Sequence, residues 1–245
     1  MTASMPPLLE LQRVSKSFGA LKVVDDLSFR LAPGEALGVL GPNGAGKSTM
    51  FNLVTGSLRP DSGRILFDGR DITSFPPHMR CRAGIGRSHQ IPHPFAKLTV
   101  FENLLVGATF GGRRETASNA DALCVDILRR TGLLPKANAL AGSLTLLERK
   151  RLELARALAT RPRLLLLDEI AGGLTEHECH ALVDTVGSIH ASGATIVWIE
   201  HIVHALLAVV ERLIVLNFGE LIAEGAPDRV IAAPEVREIY MGIEA

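Results

Sequence analysis

The amino-acid sequence predicts an α/β fold with a parallel sheet, and three observations support this prediction. In the C-terminal half, short apolar segments alternate with segments of helical periodicity. Near the N-terminus a glycine-rich turn joins an apolar segment to a helix, and further along a run of leucines ends in two acidic residues. Strands that alternate with helices pair in parallel, because each crossover helix returns the chain to the same end of the sheet.

The N-terminal region predicts antiparallel strands before the parallel part begins. Residues 8–31 alternate imperfectly between apolar and polar side chains, with β-branched residues and turns among them. The run EALGVLG (35–41) is short and mostly apolar and predicts a buried strand, after which a helix begins near Lys47. A further strand is predicted for GRILFDG (63–69), which lies between glycines.

The middle of the chain is predicted to be helical. Two helices are predicted, at 99–110 and 119–131. The polar sequence GGRRETASN between them predicts a linker. A third helix is predicted from Thr145 to Ala159. Because these helices follow one another without an intervening strand, the region from about 91 to 158 is expected to form an inserted subdomain.

The third of these helices has two distinct faces. The apolar positions 152, 155, 158 and 159 share one face, which is expected to be buried. Arg149 and Glu153 stand four residues apart on the other face, a spacing that predicts an ion pair.

The C-terminal part of the chain predicts alternating strands and helices. The strands are RLLLLDE (163–169), ATIVWIE, RLIVLN and ELIAEG, and the helices cover 176–191 and 202–210. This alternation is the main support for a parallel sheet.

Composition excludes several classes of protein. Lys plus Arg equals Asp plus Glu at 26 each, so no net basic field collects nucleic acid, although a local patch remains an alternative. The N-terminus lacks the pattern of a signal peptide. The most apolar window contains Glu200 and two histidines and is too interrupted to span a bilayer, so any membrane association is expected to go through a partner. Three scattered cysteines indicate reduced thiols in a cytosolic protein: Cys81, Cys124 and Cys179.

The sequence GPNGAGKS predicts a phosphate-binding loop. Gly41, Gly44 and Gly46 allow positive φ angles and a close approach of the backbone to a ligand, so that successive N–H groups form an anion-binding nest. The following helix adds its positive end. Lys47 supplies a full charge for the β- and γ-phosphates, and Ser48 a hydroxyl for Mg²⁺. The alternative is a glycine-rich turn without a ligand, but the strand before and the helix after are those a P-loop requires.

The sequence LLLLDE predicts the acidic partner of this loop. Four apolar residues place Asp168 at the carboxyl edge of the sheet, where α/β proteins bind ligands and where it can hold Mg²⁺ through water. The adjacent Glu169 can orient and deprotonate an attacking water. Buried strands often end in an acid, which is the alternative interpretation.

Other segments occur in a recognisable order, and the chain resembles the nucleotide-binding ATPase subunit of ABC transporters over almost all of its length. The segments that carry this resemblance are KSFGALKVVDDLSF, RSHQIPHPF and WIEHIVHA. The resemblance implies a P-loop NTPase fold with a RecA-like core, an antiparallel β subdomain and an inserted α-helical subdomain. The whole chain, 1–245, would be one ABC ATPase domain, with the core at about 8–90 and 160–245 and the helical subdomain at about 91–158.

The resemblance also implies roles for further residues. Phe18 would stack on adenine, although taken alone it reads as a core residue. Gln90 would sense Mg²⁺ and the state of the transporter. His201 would contact the γ-phosphate, with a structural histidine as the alternative. The expected nucleotide contacts are Phe18, Gly41, Pro42, Asn43, Gly44, Ala45, Gly46, Lys47, Ser48 and Thr49; the expected Mg²⁺ ligands are Ser48, Gln90 and Asp168; and the expected catalytic residues are Glu169, His201 and Gln90.

Two segments depart from the family pattern. Where the family usually carries LSGGQ, a segment that closes over the ATP held by a second subunit, this chain has LTLLE, formed by Leu144, Thr145, Leu146, Leu147 and Glu148. The sequence TLLE is also a capping box, with Thr145 at the N-cap and Glu148 at N3. The D-loop aspartate has become Thr175. We therefore expect the chain's own P-loop and acids to be competent and its contribution to the facing site to be altered, as suits a pair of non-identical subunits.

The resemblance extends to one branch of the family. The segments GPNGAGKSTMFNLVTG and GSLTLLERKRLELARALATRP and the C-terminal tail are similar to ATPases of importers for branched-chain amino acids and related amides such as urea. The implied function is to hydrolyse ATP and power such an importer. The alternatives are the ATPase of an exporter of lipopolysaccharide type and a nucleotide-gated module with low turnover, because of the altered LTLLE segment.

Cofactors and partners follow from the same resemblance. ATP and Mg²⁺ are the expected cofactors. The expected partners are a second ABC ATPase subunit, as a homodimer or heterodimer, integral membrane permease subunits and a substrate-binding protein, with no nucleic acid. The chain is expected at the cytoplasmic face of the inner membrane, held there peripherally by the permease.

Overall fold

The structure is a computed structural model, and it describes residues 6–112 and 117–241. In chain order the strands are β1 (Leu9–Phe18), β2 (Leu21–Leu31), β3 (Ala36–Leu40), β4 (Ser62–Phe67), β5 (Arg70–Asp71), β6 (Ile85–Ser88), β7 (Leu164–Asp168), β8 (Thr195–Ile199), β9 (Arg212–Asn217) and β10 (Glu220–Gly225). The helices are α1 (Lys47–Thr55), α2 (Pro77–Ala83), α3 (Val100–Phe110), α4 (Ala117–Arg130), α5 (Leu146–Ala159), α6 (Glu176–Ala191), α7 (Val203–Leu207), α8 (Pro227–Ala232) and α9 (Pro234–Met241). The predicted linker between α3 and α4 falls partly on residues 113–116, outside the described residues.

The chain divides into two compact units. The first comprises residues 1–80, 197–199 and 210–245, and the second comprises residues 81–196 and 200–209. The domain boundaries expected from the sequence stay a prediction.

The first unit contains an antiparallel sheet of four strands in the order β2-β1-β4-β5. Strands β1 and β2 pair antiparallel, with Leu9 opposite Leu31, as the alternation of residues 8–31 predicts. Alternate side chains of β1, among them Leu9 and Leu11, are buried. An antiparallel sheet can pack on one face and meet solvent on the other, which explains the imperfect alternation in the sequence.

The same unit holds the strand that leads to the phosphate-binding loop. Strand β3 is buried throughout and pairs in parallel with β9. Strands β9 and β10 form an antiparallel hairpin, in which Glu220 lies opposite Asn217. This hairpin departs from the parallel pairing expected for the C-terminal half, because two residues, Phe218 and Gly219, can only reverse the chain and cannot carry it back across a sheet.

The second unit combines parallel strands with a helical cluster. Strands β6 and β7 pair in parallel, and all five residues of β7 are buried. Helices α3, α4 and α5 pack around one apolar core. That core includes Val100, Leu104, Cys124, Leu128, Leu152, Ala155 and Ala159. Helices α3, α4 and α6 lie within two residues of their predicted bounds.

Helix α5 confirms one sequence prediction and corrects another. Leu152, Ala155 and Ala159 are buried in the helical core, as expected, and Leu158 is only partly buried against it. The predicted ion pair between Arg149 and Glu153 is wrong. Glu153 is 2.9 Å from Arg156 instead, while Arg149 donates to backbone carbonyls that precede the helix.

Helix α7 is shorter than predicted. It covers only Val203–Leu207, whereas the sequence pattern extends from 202 to 210. The side chain of Glu200 accepts hydrogen bonds from the N–H groups of His201 and Ile202, at 3.0 and 3.4 Å, and holds this stretch in a loop before the helix begins.

Within residues 6–112 and 117–241, none of the helices combines the length and the apolar character needed to cross a bilayer.

Candidate functional site

The glycine-rich loop lies between β3 and α1, and its geometry requires glycine. Gly44 and Gly46 have φ angles of 84° and 97°. A Cβ at Gly46 would lie 2.4 Å from the carbonyl oxygen of Val23, and one at Gly41 would lie 2.3 Å from that of Leu216. A Cβ at Gly44 would meet no heavy atom of the described residues within 4 Å. The loop is therefore packed against the protein at Gly41 and Gly46 and open at Gly44, where a ligand has room.

Lys47 is held across this loop. It is the first residue of α1 and is only 5% exposed. Its ammonium donates to the carbonyl oxygens of Gly41 and Pro42 at 2.5 and 3.0 Å. A buried ammonium needs such acceptors, and an anion in the loop would offer stronger ones. Lys47 thus keeps a positive charge at the loop that the sequence predicts to bind phosphate.

The N-terminus of α1 also suits an anion. Its N-cap is Gly46, and among the described residues no side chain caps the first turn. The first N–H groups of a helix have no partner within the helix, and they carry its partial positive charge. Ser48 is exposed in this turn and Thr49 is half-buried. Backbone donors, the Lys47 ammonium and two hydroxyls together fit a phosphate chain, while oxygen ligands such as that of Ser48 fit Mg²⁺.

Phe18 is at the end of β1 and is 48% exposed. The ammonium of Lys16 lies 5.7 Å from the centre of its ring. This exposure excludes the alternative in which Phe18 is a core residue. An exposed phenyl ring is available for stacking, and its role in holding adenine stays a prediction.

In the second unit, three of the predicted residues meet at one carboxylate. Gln90 donates from Nε2 to Glu169 Oε2 at 2.5 Å, and His201 Nε2 lies 2.7 Å from Glu169 Oε1. Glu169 has a left-handed backbone with φ of 45°, a conformation that costs a non-glycine residue about 1–2 kcal/mol. Such strain is found at functional sites, where surrounding contacts hold it.

Asp168 is held by a residue that the sequence analysis missed. It is 5% exposed and forms an ion pair with Arg87 of β6 at 2.5 Å. No signal in the sequence marked Arg87, because strand β6, which carries it, was not predicted either. Among the described residues, no three of the His, Cys, Asp and Glu side chains form a group that could hold a metal ion. Mg²⁺ commonly binds one or two carboxylates together with substrate phosphates, so the Asp168 carboxylate fits that mode of binding.

Two further buried charges surround Glu169, and neither was predicted. Glu200 is 1% exposed and accepts from the N–H of Ala171 at 2.7 Å and from that of His201. Burial raises the pKa of Glu200 above its usual range. Lys150 is 4% exposed and contacts the backbone of Gln90 and Glu169. Glu200 ends an apolar strand, which was a signal; Lys150 lies in the charged run RKR, which gives none.

The LTLLE segment forms the predicted capping box. The N–H of Thr145 donates to Glu148 at 2.9 Å, and the N–H of Glu148 donates to the Thr145 hydroxyl at 3.3 Å. Hydrogen bonding from Thr145 and the nearby Lys136 lower the pKa of Glu148, so its carboxylate is charged. Leu144 is buried, whereas Leu146 is 45% exposed and Leu147 is half-buried. The N-terminus of α5 is thus occupied by the chain's own carboxylate.

Thr175, where the family has an aspartate, forms a second capping box. It is the N-cap of α6, and its N–H donates to Glu178 at 2.9 Å. Its hydroxyl also bonds to the Glu178 carboxylate at 2.8 Å. Both departures from the family pattern are therefore used locally to begin a helix.

Comparisons with known proteins agree with this geometry. A family model described as ABC transporter matches residues 24–172. The lipopolysaccharide export system ATP-binding protein LptB of Acidithiobacillus ferridurans is 35% identical, over 97% of this chain and 98% of that protein. The high-affinity branched-chain amino acid transport ATP-binding protein LivG of Escherichia coli K12 is 34% identical, over 96% of this chain and 98% of that protein. A solved ATP-binding cassette of an ABC transporter in its ADP conformation has a TM-score of 0.89 and 32% identity, and the match covers 98% of this chain and all of that one.

The fold and the matched residues define a P-loop ATPase of the α/β class, as the sequence predicts. The chain belongs to the ABC transporter family. It is the ATP-binding subunit of an ABC transporter and an ATPase whose hydrolysis of ATP is coupled to transport. The relatives include one for amino acid transport and one for lipopolysaccharide export, at nearly equal identity.

Proposed function

We propose that this ATPase powers a membrane importer of branched-chain amino acids or related small amides. The likeness to LivG over nearly the whole of both chains supports this choice. The observation that carries the catalytic part of the proposal is the meeting of Gln90 and His201 at the carboxylate of Glu169. The chain would work with a second ATPase subunit, with membrane permease subunits and with a substrate-binding protein, at the cytoplasmic face of the inner membrane.

In this proposal the first unit holds the nucleotide. The N–H groups of the loop from Gly41 to Gly46 and the start of α1 bind phosphate oxygens, and Lys47 adds its charge. Pro42, Asn43 and Ala45 shape this loop, Thr49 lies in the first turn of α1, and Phe18 stacks on the adenine. A bound Mg²⁺ neutralises charge on the phosphate oxygens.

The second unit supplies the groups that act on water and on the γ-phosphate. Within this unit, Asp168 and Gln90 would hold Mg²⁺. Glu169 orients the attacking water and takes its proton. His201 contacts the γ-phosphate and, through its present bond, keeps the Glu169 carboxylate oriented.

The Glu169→Gln variant tests the catalytic part. The amide cannot accept a proton, so the steady-state rate of phosphate release should fall at least about 100-fold. Binding of labelled ATP in the presence of Mg²⁺ should persist, because the phosphate-binding loop is unchanged. Glu220→Gln, an exposed carboxylate on β10, is the matched control. A Glu169→Gln protein that hydrolyses ATP at the wild-type rate contradicts the role of Glu169.

The direction of transport has a second candidate. The 35% identity to LptB over almost all of both chains favours an exporter of lipopolysaccharide type. Cells that lack this chain distinguish the two. Loss of labelled leucine or urea uptake supports the importer, whereas normal uptake together with lipopolysaccharide retained at the inner membrane supports the exporter.

The altered LTLLE segment supports a pairing with a non-identical ATPase subunit. By the likeness to the family, this segment faces the nucleotide of the second subunit. Here the charged Glu148 and the exposed Leu146 would approach that phosphate chain, and like charges repel. A partner whose own segment is unaltered would complete the site on this chain. A module with low turnover is the alternative if two copies of this chain pair.

A further inference from the structure

We propose that Lys150 is a positioning residue for ATP hydrolysis, whose buried ammonium ties helix α5 to the backbones of Gln90 and Glu169. This inference rests on the catalytic roles proposed for those two residues. Lys150 itself would touch neither water nor nucleotide, and it would act through the residues that do.

The contacts of Lys150 join three segments that are distant in the sequence. Its Nζ donates to the carbonyl oxygen of Gln90 at 2.6 Å, 60 residues away, and to that of Glu169 at 3.3 Å, 19 residues away. The side chain is 4% exposed. A buried ammonium is unfavourable without acceptors, so these two carbonyls fix where it lies and it fixes where they lie.

The two residues that Lys150 holds by their backbones also meet through their side chains. Gln90 Nε2 donates to Glu169 Oε2 at 2.5 Å. Backbone and side-chain contacts thus close a ring through Lys150, Gln90 and Glu169. A shift of either backbone breaks the ring, and the Glu169 carboxylate then loses its orientation.

Glu169 needs such support because of its backbone. Its φ of 45° is in the left-handed region that a residue with a side chain avoids. The bond from Lys150 to the Glu169 carbonyl restrains this conformation directly. Glu200 restrains the turn that follows Glu169, because its carboxylate accepts a hydrogen bond from the N–H of Ala171.

The adjacent residue on α5, Arg149, makes different contacts, so the bonds to Gln90 and Glu169 are specific to Lys150. Arg149 donates to the carbonyls of Leu144 and Gly142, at 2.9 and 3.0 Å, in the segment that precedes α5. Arg149 therefore holds the LTLLE segment to α5, and Lys150 holds α5 to Gln90 and Glu169. Through these two residues a displacement of the LTLLE segment reaches the proposed catalytic carboxylate.

The surroundings of Lys150 favour a cation there. Burial lowers the pKa of Lys150, while the carboxylates of Glu200, Glu169 and Asp168 oppose that change. A neutral side chain of similar length would remove this positive charge from the neighbourhood of the carboxylates and would leave the carbonyls of Gln90 and Glu169 without this donor. The conservative Lys150→Arg variant keeps the charge and the donors, whereas Lys150→Met keeps only the length.

The test compares Lys150→Met, Lys150→Arg and the exposed control Lys97→Met in the full chain. For Lys150→Met we expect kcat to fall about 100-fold, since misplacement of a catalytic group by about 1 Å costs that much. KM for ATP and the number of binding sites for labelled ATP should stay within about twofold, because the phosphate-binding loop is untouched. Lys150→Arg should recover most of kcat, and Lys97→Met should match the wild type.

Three outcomes would overturn the proposal. A folded Lys150→Met protein with wild-type kcat shows that the ammonium positions nothing. Loss of ATP sites in proportion to loss of activity shows that Lys150 only supports the fold. If Lys150→Arg recovers no kcat, the positive charge and the hydrogen-bond donors of Lys150 are not the cause of its effect on hydrolysis. If Lys150→Met does not fold, Lys150→Gln is measured in the same way and must lower kcat without loss of sites.

Glu169→Gln, measured in parallel, separates this inference from the proposed function. If Glu169→Gln loses activity and Lys150→Met keeps it, only the role of Lys150 fails. If Glu169→Gln keeps activity, the catalytic proposal itself fails.

Discussion

Asp168 and Glu169 were foreseeable as single residues because both follow a run of leucines. Their charged neighbours were not. Lys150 and Glu200 are buried and Arg87 is half-buried in the structure, yet among these three only Glu200, at the end of an apolar strand, has a signal in the sequence. Burial of a charge depends on which distant segments supply its partners, and those partners become visible only in the fold.

Arg87 is expected to be required for stability around Asp168. In Arg87→Met, Asp168 keeps a buried charge without its ion-pair partner, so the free energy of unfolding should fall by about 3 kcal/mol. Urea unfolding measures this change, with the exposed Arg82→Met as control. The double variant Arg87→Met/Asp168→Asn should be more stable than Arg87→Met alone. Equal stability of these two variants would show that the ion pair is not the cause.

Glu200 predicts a pH dependence of stability. Burial raises its pKa in the folded protein, so the folded state binds its proton more tightly than the unfolded state does. The contribution of Glu200 is therefore fully present below its usual pKa and is lost as the pH rises through the raised pKa. Glu200→Gln cannot ionise, so the advantage of the wild type over this variant in urea unfolding should shrink as the pH rises from about 4.5. A constant difference between pH 4.5 and pH 8 would contradict the assignment.

At the scale of elements, the sequence predicts most strands and helices because their patterns are local, but it missed the short elements β5, β6, α2, α8 and α9. Two further departures have causes outside the segment concerned. Helix α7 begins late because Glu200 holds the two residues before it. The ion pair on α5 changes partner because Arg149 finds backbone carbonyls ahead of its own helix.

Helix α1 follows the phosphate-binding loop, and Arg80 caps its C-terminus. This arginine is 1% exposed and donates to the carbonyls of Leu53 and Val54 at 2.6 and 3.0 Å, and also to those of Phe75 and Thr73. The last carbonyls of a helix need such donors. The sequence offers no sign of this cap.

Replacing Arg80 with Met should lower the free energy of unfolding by about 3 kcal/mol, because several buried carbonyls lose their donor. Thermal and urea unfolding measure the loss. Arg82→Met, on the exposed side of α2, should leave stability unchanged. Labelled ATP should still bind to the folded fraction, since the loop before α1 keeps its own contacts; a stable variant without ATP binding would show that Arg80 acts on the loop instead.

At the scale of the whole molecule, the family and the fold were within reach of the sequence, because the P-loop, the acidic strand and the segment that contains His201 occur in a recognisable order. The cargo was not within reach, since no motif of this sequence points to a contact with it and its recognition is proposed to lie with other subunits. The altered LTLLE segment is the feature that most sets this chain apart, and it makes a prediction about pairing.

The triple variant Leu146→Gly/Leu147→Gly/Glu148→Gln should raise the steady-state ATPase rate of the chain alone by about 10-fold or more. It removes a carboxylate and the bulk of two leucines, so that the backbone N–H groups at the start of α5 can approach the partner's phosphate chain, and one donor to a transferring group is worth at least that much. Glu178→Gln removes the equivalent carboxylate from the capping box of α6 and should not raise the rate. Full cooperative activity of the unaltered chain alone, not increased by the triple variant, would contradict the expected pairing with a different subunit.

The hydrogen bond from the N–H of Gly219 to the carbonyl of Ala45, at 3.2 Å, and the pairing of β3 with β9 have a consequence for biosynthesis. The glycine-rich turn at residues 41–46 is translated well before the hairpin of β9 and β10 that braces it. At about 5–20 residues per second, the interval between synthesis of the turn and synthesis of the hairpin is on the order of ten seconds. The braced form of the phosphate-binding loop therefore becomes available to ATP only after the hairpin has been synthesised.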